Sequence, residues 1–200
     1  MKYQISAEQR NFFENHGYIE YERLLSEKEC SALLSAVKKC EKPRDMARES
    51  EEVRKLLSSP RFGQIASALC LKKKLRYGLD ELYSPAKRAP GFSVLQDERC
   101  IQGITFAMLI CLDEDAIGEP EDGDIFPRHT GNVTFFTPDG IYDSKHDASH
   151  QYQTCILLVW VDSNSQYIFQ EKDAYTHDLK KLGYVFGDTL LEKTHPLFWQ

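Results

Sequence analysis

Helical patterning in the first third of the chain and strand patterning after residue 75 predict an α+β fold, an antiparallel sandwich or barrel flanked by N-terminal helices. Two capping boxes mark helix starts, and short apolar runs between Gly, Pro and Asp turns mark strands. Size and composition agree. At 200 residues, 42% hydrophobic and 28% charged, the chain can bury its own core as one domain over 1–200. Residues 1–74 read as mainly helical flank and 75–200 as the sheet-forming core.

Ser6-Ala7-Glu8-Gln9 opens the first helix, Phe12 and Phe13 supply its inner face, and Gly17 ends it where a left-handed residue costs little. Tyr18-Ile19-Glu20-Tyr21 reads as a strand. Ser26-Glu27-Lys28-Glu29 opens a second helix, with Leu33, Leu34 and Val37 facing inward and Pro43 closing it. Residues 44–57 are charge-rich and read as a surface helix or loop. Ser59-Pro60 starts a short helix whose Ile65, Ala66 and Leu69 are apolar. Strands are expected over 75–77, 92–95, 104–112, 132–136, 155–161 and 167–170, with turns at Pro90-Gly91, Glu121 to Asp124 and Pro138-Asp139-Gly140.

The net charge of −6 argues against a nucleic-acid partner, because the basic face that a phosphate backbone needs is missing. Lys72-Lys73-Lys74 with Arg76 reads as a solvated edge. No apolar run approaches the roughly eighteen residues of a membrane helix, and Met1 to Ser6 lacks the apolar core of a secretion signal. No membrane contact and a cytoplasmic location are therefore expected. The six cysteines are scattered without a Cys-x-x-Cys pair, and Cys111 and Cys155 lie inside apolar runs, so all are expected to be reduced and structural.

Phosphate loops, dinucleotide fingerprints, nucleophile elbows and zinc-protease helices are all missing. Of the six histidines, His16 reads as a helix C-terminal residue, and His177 and His195 as surface residues. The densest group is Asp143-Ser144-Lys145-His146-Asp147-Ala148-Ser149-His150. Its imidazoles and carboxylates suit iron, zinc or manganese, although the same residues make an ordinary solvated loop. His129 is a further candidate ligand if a sheet brings it near this loop. The tail Pro196-Leu197-Phe198-Trp199 is expected to anchor in the core rather than form an oligomer contact.

One resemblance is carried by Ile5-Ser6-Ala7-Glu8-Gln9, then Phe13-Glu14-Asn15-His16-Gly17-Tyr18-Ile19, then Leu24-Leu25-Ser26-Glu27-Lys28-Glu29-Cys30. This stretch resembles the opening of the phytanoyl-CoA dioxygenase-like proteins, a branch of the Fe(II)/2-oxoglutarate-dependent oxygenases. The resemblance implies a double-stranded β-helix, the cupin-like jelly roll. It also implies a His-x-Asp and a distal His that hold iron, with a cation beyond them for 2-oxoglutarate. This sequence departs from that pattern at each point. None of its histidines is followed two residues later by Asp or Glu. Leu95 falls in the first histidine's place, Asp97 in the carboxylate's and Tyr142 near the distal histidine's. The cation would fall near Gln151 to Gln153, and no Lys or Arg lies between Lys145 and Lys172.

Leucine has no lone pair for a metal, and a desolvated dicarboxylate without a counter-charge is strongly unfavourable. The expectation is a non-catalytic oxygenase-like protein with a binding or regulatory role and no cofactor. Its partner would be a small molecule or a protein, and its state a monomer or homodimer. Two alternatives stand beside it. One is an active non-haem Fe(II)/2-oxoglutarate oxygenase with ligands drawn from Asp97, His129, Asp143, His146 and His150. The other is a metal-responsive regulatory protein.

Overall fold

The computed structural model describes residues 4–84, 99–116, 123–140 and 152–199. Ser6 accepts a hydrogen bond from Gln9 N at 3.1 Å while Gln9 Oε1 accepts from Ser6 N at 3.0 Å, and helix α1 (Ala7–His16) follows. Gly17 ends it at φ 76°, and a Cβ there would lie 2.4 Å from Gly140 Cα. The second box forms in the same way between Ser26 and Glu29 at the start of α2 (Glu27–Val37). Between them lies β1 (Tyr18–Tyr21).

Residues 44–57 are helical, one of the two expected readings, and expose Glu49, Glu51, Glu52, Arg54 and Lys55, but they also bury an apolar face. They form α3 (Met46–Glu49) and α4 (Glu51–Leu57), and Met46, Ala47, Val53 and Leu57 are buried. Their apolar side chains recur too irregularly for a periodic reading, because two short helices break the phase. Helix α5 (Pro60–Cys70) starts at its proline as expected.

Among the described residues the strands form one curled antiparallel sheet in the order β1-β4-β3-β5-β2-β6. Its members are β2 (Leu75–Tyr83), β3 (Ile101–Asp113), β4 (Val133–Phe136), β5 (Thr154–Tyr167) and β6 (Leu197–Trp199). The expected strand 92–95 lies outside the described residues. The expected strand 167–170 is instead the last residue of β5 and an irregular stretch after it.

Side-chain alternation sends Phe106, Met108, Ile110, Ile156, Leu158 and Trp160 to the face covered by the helices. Ala107, Leu109, Cys111, Leu157 and Val159 go to the opposite face, where Phe126, Leu179, Tyr184 and Leu190 pack. Both faces are buried, which is why β3 and β5 read as continuous apolar runs. The tail does anchor. β6 pairs with β2, and Trp199 lies so close to α5 that a Cβ on Gly63 would sit 2.6 Å from its side chain.

β2 runs six residues past the expected end at Tyr77, and a bulge between Tyr77 and Leu79 shifts its register. A one-residue slip exchanges the faces. Leu75 and Tyr77 belong to the helix face, whereas Leu79 and Tyr83 belong to the opposite one. Asp80 then lies on the helix side, accepting from Met46 N and Ala47 N at 2.9 Å each and from the Tyr77 hydroxyl at 2.7 Å. Glu81 turns to the opposite side.

A buried ionic cluster as candidate functional site

The side of the sheet away from the helices holds a group of charges that the chain brings together from far apart. Arg44, Glu81, Arg99 and Asp173 are each no more than 6% exposed. Arg44 Nη1 donates to Asp173 Oδ1, and its guanidinium lies 5.0 Å from the centre of the Tyr175 ring. Arg99 Nη2 stands 3.1 Å from Glu81 Oε2 and donates to the Tyr83 hydroxyl at 3.1 Å, which donates to Glu81 at 3.3 Å. Asp173 Oδ2 accepts from Cys100 N at 2.8 Å.

Isolated charges are costly to bury, so partners decide their state. Burial works against the charge of Arg44, but Glu81 and Asp173 outweigh it and hold its pKa above the ordinary value. Burial would raise Asp173, yet Arg44 and the backbone donors bring its carboxyl below the usual range. For Arg99 the penalty of burial is overcome by Tyr83 and Glu81. Burial and the Glu81 charge push the Tyr83 phenol up, so it stays a proton donor. The space beside Arg44, bordered by Cys100 and Tyr175, is about 10 Å³. That admits about one water and no five-carbon dicarboxylate.

None of the four charges was singled out from sequence. The available signal was Asp80-Glu81 inside an otherwise apolar strand pattern, since adjacent acids in a buried strand need partners.

Leu95, Asp97, Tyr142, Asp143, His146 and His150 lie outside the described residues. His129 is described, and it sits at the surface with its side chain 64% exposed and Nδ1 3.2 Å from Asp115 Oδ2. Thr130 N–H and His129 together hold the Asp115 carboxyl below its ordinary range. Among the described residues no three of His, Cys, Asp and Glu converge as a metal site. Gln153, near which the resemblance places a cation, has its amide donating to Pro127 O at 3.0 Å and Glu114 O at 3.3 Å. It fastens two loops to the end of β5.

His195 corrects the surface expectation. It is fully buried, its Nδ1 is 3.1 Å from the Tyr184 hydroxyl, and burial with Arg48 and Arg76 nearby lowers its pKa to about 2. His177 is exposed, as expected, and His16 Nδ1 reaches Phe12 O at 2.8 Å at the end of α1. The described cysteines are all free, and five of the six are buried. No described helix is long and apolar enough to cross a membrane.

No family model matches the sequence, and no curated protein matches it. Solved structures do match. The non-heme alpha ketoglutarate dependent carbocyclase SnoK from nogalamycin biosynthesis aligns with a TM-score of 0.69 at 17% identity, covering 96% of each chain. The non-heme alpha ketoglutarate dependent epimerase SnoN from the same biosynthesis gives 0.67 at 15% identity, covering 96% of this chain and 97% of that one. CT296 from Chlamydia trachomatis gives 0.56 at 20% identity, over 81% of this chain and 98% of its own. At such identities the likeness speaks for architecture alone. This chain has the fold of the non-heme iron, alpha-ketoglutarate-dependent oxygenases.

Proposed function

We propose that this chain is a non-catalytic protein on the oxygenase fold, a degenerate relative of the phytanoyl-CoA dioxygenase-like branch that serves a binding or regulatory role. It works in the cytoplasm as a single jelly-roll domain, monomeric or homodimeric. The observation that carries this reading is the pairing of Arg44 with Asp173 and of Arg99 with Glu81. Two buried guanidiniums that would suit a dicarboxylate are each neutralised by a carboxylate of the chain itself. The sequence points the same way, with Leu95 and Tyr142 where histidines are expected and Gln151 to Gln153 where a cation is expected.

The test is an anaerobic thermal-unfolding series of metal-stripped protein with Fe(II) or Mn(II), each with and without 2-oxoglutarate. A ligand specific to the folded state, at one hundred times its dissociation constant, adds about 2.7 kcal/mol. The expected result is an unchanged midpoint in every combination. A rise with metal that grows with 2-oxoglutarate overturns the proposal and directs mutagenesis to Asp97, His129, Asp143, His146 and His150.

A further inference from the structure

On the helix side of the sheet, well apart in chemistry from the paired cluster, a cavity of about 230 Å³ opens between α3, α4 and the segment leading into β6. Three cations border it, Arg48, Arg54 and Lys193, and no carboxylate does. That is notable in a chain of net charge −6. Arg54 and Lys193 are exposed, and neither has a carboxylate within ion-pair distance among the described residues. Asp45 Oδ1, 3.5 Å from Arg48 Nε, offsets the third cation, which leaves Arg54 and Lys193 as the cations on this cavity without a counter-charge.

Arg48 is the fixed member of the three. Its guanidinium lies 4.8 Å from the centre of the Tyr77 ring, and its Nη1 donates to Thr194 O. Its Nε, 3.5 Å from Asp45 Oδ1, is buried without a hydrogen-bond partner. The wall also has apolar members: Leu182, Pro196 and Phe198, whose ring is held 4.9 Å from that of Tyr77. A solvated lysine and arginine face would lack such a wall. The volume falls below the roughly 300 Å³ where drug-sized pockets begin, which limits the occupant to one ring and a head group. The two unpaired cations favour a dianion over a monoanion, and guanidinium forks suit phosphate oxygens.

We propose that this cavity binds a small phosphomonoester with a flat apolar body. Arg54 and Lys193 engage the phosphate, Arg48 braces the wall between Tyr77 and Thr194, and Phe198, Leu182 and Pro196 receive the body. The site stands whether or not the opposite face ever holds a metal.

Isothermal titration of phenyl phosphate into the full chain tests it, with inorganic phosphate, benzoate and benzyl alcohol as separate arms. The expected result is saturable one-to-one binding of phenyl phosphate, about tenfold tighter than inorganic phosphate or benzoate, and none of benzyl alcohol. The Arg54→Gln/Lys193→Gln double variant changes two exposed side chains, so it should keep its unfolding midpoint and lose at least about tenfold in affinity. Leu182→Ser should weaken phenyl phosphate and leave inorganic phosphate unchanged. The proposal is overturned by an absence of saturable binding, by equal affinity in the double variant, or by inorganic phosphate binding as tightly as phenyl phosphate.

Discussion

The two faces of the sheet are buried to a similar depth by different means. On one, the helices lay Leu33, Val53, Phe62 and Ile65 against Phe106 and Trp160, and hydrophobic burial supplies most of the stabilisation. On the other, apolar packing adjoins a charged cluster assembled from positions 44, 81, 99 and 173, and pairing decides whether those groups are tolerated. Hydrophobic packing tolerates partial loss, because neighbours relax into the space. A buried ion pair does not, because removing one member strands the other.

The largest expected effect follows from that difference. Asp173→Asn or Arg44→Met should lower stability by about 3–5 kcal/mol in urea denaturation, and replacing both residues by apolar ones should cost much less than the sum. A double-variant cost equal to the sum of the two single costs would mean that the residues do not act as a pair. On the helix face, Leu33→Ala should cost about 2–5 kcal/mol, with no comparable rescue by a second substitution.

A smaller effect separates two buried titrating groups. His195 is neutral in the fold, so its contribution is present above its unfolded value of about 6.5 and is lost as pH falls toward 2. Asp80 behaves oppositely. Burial and the Asp45 charge raise it to about 7, so its contribution is complete below about 4 and is lost as pH rises through 7. Between those limits the two slopes oppose each other. Relative to the native chain, His195→Gln should gain up to about 1.4 kcal/mol per pH unit as pH drops below 6.5. Asp80→Asn should gain relative stability in the other direction, as pH rises from 4 to 7. Denaturation curves across pH 4.5 to 7 check both, and parallel profiles for all three proteins would contradict the assignment.

The smallest effect is local. Ser26→Ala removes the cap of α2 and should cost about 1 kcal/mol by the same denaturation measurement.

What was legible in the sequence follows the same division. The caps at Ser6 and Ser26 depend on residues three apart, so they could be read directly. The central parts of β3 and β5 announced themselves because a strand segment covered on both faces is apolar at nearly every step. The second half of β2 was hidden by Asp80 and Glu81, whose burial depends on donors at positions 46, 47, 77 and 99. His195 was misread for a similar reason, since its cover comes from Tyr184 and the β2 side chains rather than its neighbours in sequence. The resemblance found the fold from thirty N-terminal residues. Its metal positions fell on 95, 97 and 142, outside the described residues.

The central claim is that the buried guanidiniums are held by the chain's own carboxylates instead of being reserved for an anionic ligand. Calorimetric titration of 2-oxoglutarate with Mn(II) present, into the native chain and into Asp173→Asn, tests it most directly. The account predicts no saturable binding to the native chain and no return of the variant's lost stability on adding 2-oxoglutarate. Stoichiometric binding to the native chain would contradict it.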